Sequence, residues 1–226
     1  MTSTLHYFPI LGRGEPIRMT LAACNAQYEE AKVDFGSMKD EAGTAASPFG
    51  QAPYLDTPEG VRLSQMTAIM KYVAAKHKPL LLGGSEVERA QVDMLLLGID
   101  DLYLKYISCV YQKSLFEEGK VELWKDHFEP ESKSARNGGA HLFFLVEALA
   151  RGKGSFFLGA QPSIADVFFY FALEAFNREQ CFGDKLLSQY PSLGPYMAAV
   201  AGIDGLAGRL SNPERQVMPF NGNGQG

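Results

Sequence analysis

The segment Pro79-Leu80-Leu81-Leu82-Gly83-Gly84-Ser85 divides the chain into two stretches of different pattern, and that break limits the fold more than any other feature. Before it, short β-prone runs alternate with helical ones. After it, every recognisable segment is helical. Pro and Gly-Gly punctuate secondary structure. The expected organisation is therefore an α/β domain over 1–79, a linker over 80–85 and an all-helical domain over 86–226. Either stretch is long enough to bury a core of its own.

In the first stretch, Thr4–Phe8 is a β-prone run stopped by Pro9, and Glu15–Cys24 is helical. Pro16 sits in the first helical turn, where its missing N–H costs nothing. Tyr28–Phe35 can form a second strand. Pro53–Asp56 and Val61–Leu63 form a hairpin around Glu59-Gly60, followed by a helix over Ser64–His77. The order is βαβ then ββα, which predicts a small mixed sheet covered by helices. In the second stretch, Ser85-x-x-Glu88 is a capping box, in which Ser and Glu satisfy orphan N–H groups reciprocally. A long apolar pattern runs on to Tyr111, and Leu142–Leu149 continues another helix. Ser163-Ile164-Ala165-Asp166 opens an aromatic helix containing Phe168, Phe169, Phe171 and Phe176. The ending Asn221–Gly226, rich in Gly and Asn, reads by itself as a disordered tail.

Composition removes several classes of function. Residues 1–80 carry eight basic and eight acidic side chains, so the whole net charge of −5 lies beyond them. A weakly acidic chain does not suit nucleic acid, whose affinity comes largely from neutralised phosphates. No apolar run is long enough to span a bilayer, and the first residues, Met1–His6, lack the basic and apolar regions of a secretory signal. Three widely spaced cysteines, Cys24, Cys109 and Cys181, form neither a disulfide framework nor a CxxC pair. They fit a reducing, cytoplasmic setting. The histidines His6, His77, His127 and His141 have no metal-ligand spacing, so no metal is expected.

Three segments could meet a ligand. The first is Tyr7-Phe8-Pro9-Ile10-Leu11-Gly12-Arg13-Gly14-Glu15-Pro16, a strand end and a Gly-flanked loop opening a helix whose N-terminus favours an anion. The second is Pro48-Phe49-Gly50-Gln51-Ala52-Pro53, where a cis X-Pro bond would present the preceding backbone for hydrogen bonding. The third is Leu63-Ser64-Gln65-Met66-Thr67, where a strand becomes a helix whose first N–H groups can take a carboxylate. Taken singly, each has a plain alternative: a half-buried strand Tyr with a surface Arg, a proline at a strand's first residue, and capping by Ser64.

Together with Asp101-Leu102-x-x-Lys105-Tyr106-Ile107-Ser108-x-x-Tyr111, Ser163-x-Ala165-Asp166 and the ending Pro219-Phe220-Asn221-Gly222-Asn223-Gly224, these segments resemble the cytosolic glutathione S-transferases, closest to the pi class, over essentially the whole chain. The resemblance implies a thioredoxin-like βαβ-ββα domain followed by a helical bundle, usually a homodimer. It implies a detoxification enzyme that uses glutathione as co-substrate, with no tightly bound cofactor, and conjugates it to a small electrophile. Tyr7 matches the catalytic residue. Phe8, Arg13, Met38, Gln51, Ala52, Pro53, Gln65 and Met66 match glutathione-binding positions, and Asp101 would approach from the partner subunit, with Asp100 as a fallback. Phe8, Ile10, Phe35, Ile107, Tyr111, Asn221 and Gly222 match the electrophile's wall, which makes the tail part of that wall. Phe49 matches the aromatic key inserted into the partner. A thiol-disulfide oxidoreductase would need a Cys near residues 9–13 that this chain lacks.

The chain also departs from the pi-class pattern. Met38 and Thr44 stand where that class has a Trp and a Lys holding the glycyl carboxylate, and Met66 replaces a Ser. Lys39 is a possible substitute cation. Ser47 stands where some members carry a reactive Cys, so regulation by oxidation is not expected there. Charge-assisted bonds contribute about 1.5–3 kcal/mol each. Their loss implies weak glutathione affinity or a thiol whose glycyl end is amidated. A non-catalytic binding or structural protein on the same fold is the other alternative.

Overall fold

The computed structural model describes residues 2–34, 36–38, 46–130 and 140–226. The first strand, β1 (Ser3–Tyr7), alternates as a half-buried strand must: Ser3, Leu5 and Tyr7 are buried, Thr4 and His6 only partly. Helix α1 (Glu15–Ala23) starts with Pro16 in its first turn. Then come β2 (Tyr28–Lys32), β3 (Tyr54–Asp56), β4 (Arg62–Ser64) and α2 (Met66–His77). The four strands form one sheet in the order β2-β1-β3-β4. The β1–β2 pair is parallel and the other two pairs are antiparallel. Helices α1 and α2 pack on each other and bury Ile17, Met19, Leu21, Ile69, Met70 and Val73. This is the expected thioredoxin-like arrangement. The second helix begins two residues later than the expected Ser64, because Ser64 still pairs with Tyr54 as the last residue of β4.

Beyond Pro79 the described structure is helical: α3 (Glu86–Gln112), α4 (Glu117–His127), α5 (Leu142–Gly152), α6 (Ile164–Phe176), α7 (Asp184–Gln189), α8 (Leu193–Ala201), α9 (Leu206–Leu210) and α10 (Pro213–Val217). Among the described residues no helix is long and apolar enough to cross a membrane. The cap of α3 forms as its sequence requires: Ser85 Oγ accepts from the Glu88 amide at 3.2 Å, and Glu88 Oε2 accepts from the Ser85 amide at 3.1 Å. Aromatic packing joins α3 to α6, with Tyr103 against Phe168 and Phe171, and Tyr106 against Phe176.

By internal contacts the chain divides into two compact units, Met1–Pro79 with Ile203–Gly222, and Leu80–Gly202 with Asn223–Gly226. Residues 203–222 group with α1, and the reasons are local. Asn25 donates to Asp204 at 2.9 Å, and Gly205 lies so close to the Ala22 carbonyl that a Cβ there would stand 2.1 Å from its oxygen. The tail is ordered rather than loose: Phe220 and Asn221 are buried, and Asn223 Nδ2 donates to the Val110 carbonyl at 3.0 Å.

The first turn of α6 depends on one buried carboxylate. Asp166 accepts from the Ser163 amide and hydroxyl, both at 2.7 Å, from the Phe157 amide at 3.0 Å and from the Tyr196 hydroxyl at 3.2 Å. Burial nevertheless pushes its pKa up. Each buried donor left without its acceptor costs about 1–3 kcal/mol. Asp166→Ala is therefore expected to lower unfolding stability by about 3 kcal/mol or more, read from the denaturant midpoint.

Candidate active site

Strand pairing brings the three candidate segments to one end of the sheet. His6 lies opposite Tyr54, and Tyr54 opposite Ser64. One step further along each strand stand Tyr7, Pro53 and Gln65.

Tyr7 is buried, and its position is set by the loop that follows it. The Arg13 amide donates to Tyr7 Oη at 2.8 Å. The loop can fold this tightly because it carries glycines on both sides of Arg13. A Cβ at Gly12 would stand 2.5 Å from Tyr7 Oη, and one at Gly14 would stand 2.3 Å from the ring. Phe8 meets the Tyr7 ring edge-on at 5.6 Å. The loop itself is closed by Ile10 N–H donating to the Phe8 carbonyl at 2.8 Å. From the other side comes the C-terminal segment: the Leu11 and Gly12 amides donate to the Pro219 and Phe220 carbonyls, both at 2.9 Å. Buried Asn221 and exposed Gly222 follow directly. A phenol oxygen that already accepts one N–H keeps its own proton to donate, and the incoming bond strengthens that donation.

The Ala52–Pro53 peptide is cis, as the second segment allowed. The turn before it is held by a residue to which the sequence reading gave no structural role. Ser47 Oγ accepts from the Gln51 amide at 2.9 Å and donates to the Gln51 carbonyl at 2.7 Å. Gln51 is exposed, Ala52 half-buried and Pro53 buried. Only the local run from Ser47 to Gln51 could have signalled this turn, and such runs are common.

Gln65 adopts φ 72° and ψ 116° at the junction of β4 and α2, and its side chain is exposed. A non-glycine residue in this region is unusual and often marks a functional constraint. The ladder of α2 begins with the Ile69 amide donating to the Gln65 carbonyl at 3.0 Å. The earlier amides, Met66 and Thr67 among them, are not used by the helix itself. Ser64 does not cap it: its Oγ is buried with no hydrogen-bond partner among the described residues. Met66 turns its side chain into the core.

Met38 also points inward. It forms a small apolar cluster with Val33 and Tyr54, against which Phe8, Ala46 and Ala52 pack. It therefore supports the loop from below and offers a ligand no polar group. On the second unit, Ile107 is half-buried, and Tyr111 and Asp101 are exposed along α3, with Asp100 beside them. Phe49 is 65% exposed. Phe35, Lys39 and Thr44 lie outside the described residues. The chain's own thiols make poor nucleophiles. Cys24, Cys109 and Cys181 are buried and free of disulfides, and burial pushes Cys24 up to about 11. Among the described residues, no group of His, Cys, Asp and Glu could hold a metal ion.

Comparison with known proteins finds relatives along the chain. Residues 3–75 match the family model of the glutathione S-transferase N-terminal domain, and residues 137–199 match that of its C-terminal domain. Glutathione S-transferase P of Bos taurus is 30% identical over 225 residues, covering 98% of each chain.

The chain belongs to the glutathione S-transferase family. It lies close to the pi class. The human glutathione S-transferase P is 28% identical over 222 residues and 98% of each chain. A solved pi-class glutathione S-transferase of Onchocerca volvulus superposes over all of both chains with a TM-score of 0.77 and 28% identity. This transferase therefore takes glutathione as co-substrate and an electrophile as second substrate.

The contact between Gly14 and the Tyr7 ring yields a direct test. In Gly14→Ala the new methyl group must displace the ring. A misplacement of about 1 Å can cost on the order of 100-fold in rate. Turnover with glutathione is expected to fall on that scale, and a crystal structure should show the ring moved.

Proposed function

We propose that Tyr7 is the catalytic residue of this transferase and that it acts by donating its hydroxyl proton in a hydrogen bond to the glutathione sulfur. The observation that carries this reading is the 2.8 Å bond from the Arg13 amide to Tyr7 Oη. It occupies one lone pair of the oxygen and fixes where the hydroxyl stands. A free thiol has a pKa of about 8.5, and the thiolate is the nucleophile. A donor aimed at sulfur favours the charged form and lowers that pKa. Each unit of lowering corresponds to about 1.4 kcal/mol. The thiol gives up its proton to solvent, the thiolate attacks the electrophilic carbon and the C–S bond forms; in a substitution the leaving group departs with its bonding pair, and in an addition the π pair moves onto the neighbouring atom, which takes up a proton.

The rest of the site is assigned on the same basis. Exposed Gln51 and Gln65 would reach the two ends of the tripeptide. The Ala52 backbone, set by Ser47 and Pro53, would pair with its cysteinyl part in the manner of an added strand. Arg13 would line the site near the sulfur. Phe8, Ile10, Asn221 and Gly222 would present the first unit's side of the electrophile's wall. A cytoplasmic homodimer is part of this reading, with Asp101 supplied to the partner's glutathione and Phe49 as the apolar contact between subunits. Family membership favours the enzyme over a non-catalytic binding protein.

Tyr7→Phe tests the mechanism. Losing a hydrogen bond to a charged sulfur costs about 1.5–3 kcal/mol, which is roughly 10- to 100-fold in rate. Glutathione binding should persist, and the inflection of the pH–rate profile should move up towards the free-thiol value of about 8.5. Unchanged activity would refute the assignment. Phe49→Ala should shift sedimentation towards monomer while leaving each unit folded.

Met38 favours a second reading, in which the preferred thiol carries an amidated glycine. Its side chain is buried among Val33, Tyr54 and Phe8 and gives the glycyl carboxylate no donor. The ratio of kcat/KM for a glycine-amidated glutathione to that for glutathione decides between the two. A ratio above one supports the modified thiol, and a clear preference for free glutathione removes it.

A further inference from the structure

A cluster of charges lies behind the Tyr7 loop, and neither the thiol nor the sheet calls for it. The side chains of Glu15 and Arg18 have no exposed surface. Glu15 Oε1 accepts from Arg209 Nε at 2.9 Å and from Arg215 Nε at 2.7 Å, and its Oε2 accepts from Arg209 Nη2 at 2.5 Å. Arg18 lies 3.5 Å from Glu15 Oε2, pairs with Glu30 through Nε at 3.0 Å and donates to the Ile10 carbonyl at 2.9 Å. Its guanidinium also stands 5.7 Å from the centre of the Tyr7 ring. Burial works to lower the pKa of Arg18, but Glu30, with Glu15 behind it, holds it above its ordinary value.

A buried carboxylate is expensive unless cations surround it. The cations here come from far along the chain. Arg209 and Arg215 are 194 and 200 residues from Glu15, on α9 and α10. The segment they belong to continues into Pro219 and Phe220, whose carbonyls take the Leu11 and Gly12 amides. The next amide of that loop, Arg13, is the one bonded to Tyr7 Oη. An apolar contact of similar volume would often be as stable as such an ion cluster. What guanidinium–carboxylate pairs add is direction, because their donors are fixed in a planar fork. The start of the segment has separate anchors, the Asn25–Asp204 bond and the approach of Gly205 to Ala22. The Glu15 cluster therefore governs the end nearest Tyr7.

We propose that Glu15 is a positioning residue: through Arg209 and Arg215 it seats the C-terminal segment 218–222 on the loop after β1, and so fixes Tyr7 Oη and the Asn221–Gly222 wall relative to the reacting sulfur. The functional part rests on the Tyr7 reading above, while the seating itself does not. Any partial loss of this latch leaves the sheet and helices in place but lets the segment lift. The electrophile then loses a wall, and the Arg13 amide no longer holds the phenol in register.

The test uses the full chain with Arg215→Met, which keeps an apolar stem and leaves Arg209 and Arg18 on Glu15. Arg215→Lys serves as the conservative variant, and Glu15→Gln as a second cut at the hub. Three quantities are measured: hydrogen exchange of the Leu11 and Gly12 amides, KM for electrophile and for glutathione separately, and the pKa of the bound thiol from thiolate absorbance. In Arg215→Met, exchange at both amides should quicken several-fold. KM for the electrophile should rise several-fold, the bound-thiol pKa should shift upward, and KM for glutathione should stay nearly unchanged. Arg215→Lys should recover part of each. If Arg215→Met does not fold, Arg209→Lys and Arg215→Lys carry the same measurements, since they keep the charge and lose the fork. A folded variant with a lower melting temperature but unaltered exchange, electrophile KM and thiol pKa overturns the proposal. Failure of the Tyr7 reading looks different: Tyr7→Phe would be fully active, while exchange at Leu11 and Gly12 would still respond to Arg215→Met.

Discussion

The bond from the Arg13 amide to the Tyr7 hydroxyl depends on a close approach that only glycine permits on both sides. With Gly12 and Gly14 flanking Arg13, the loop after β1 closes over the Tyr7 ring, and the phenol takes one backbone N–H. A methyl group at either glycine would occupy space the ring already fills. The rest of the first unit is arranged around this contact. The sheet brings Pro53 and Gln65 level with Tyr7 through its pairing register. The apolar cluster of Val33, Met38 and Tyr54 supports Phe8 and Ala52 from beneath. The C-terminal segment closes the loop from the other side.

The site is built mostly from backbone groups. Amides and carbonyls of the loop, of the cis Ala52–Pro53 turn and of the start of α2 form its frame. Side chains such as Ser47 act mainly by fixing that backbone. Backbone dipoles held in place need no rearrangement when charge develops beside them, which is the economy of preorganised sites. Buried and with its pKa raised to about 11, Cys24 stays protonated and is a poor nucleophile. Ala46 and Ala52 pack against the cluster that contains Met38, so Met38 supports this loop without offering a polar group.

Much of this was legible in the residues. The change of pattern at Pro79 separated an α/β part from a helical part, and the capping boxes at Ser85 and Ser163 located helix starts, because caps depend on residues only three apart. The strand-end Tyr7, the X-Pro at 53 and the strand-to-helix turn at Gln65 were visible for the same reason. The helical start at Ser64 was read two residues early, since a Ser before an apolar run signals a cap whether or not a strand still claims it. The structural roles of Ser47 and Glu15 are not legible in their neighbours. A serine in a turn and an acid in a first helical turn are ordinary locally, and their roles rest on partners the sequence does not put beside them.

The sequence alone therefore determined the two-part architecture, the family and the residues around Tyr7, since each is written in short-range spacing and in motifs whose order spans the chain. Only the tertiary structure decided where residues 203–222 belong. It placed them with α1 rather than with the helices they follow. The reason is physical: Glu15 is too costly to bury without countercharge, and the arginines that supply it lie about two hundred residues away. A pairing at that separation leaves no periodicity to read. Yet it joins the last elements of the first unit to the loop after β1.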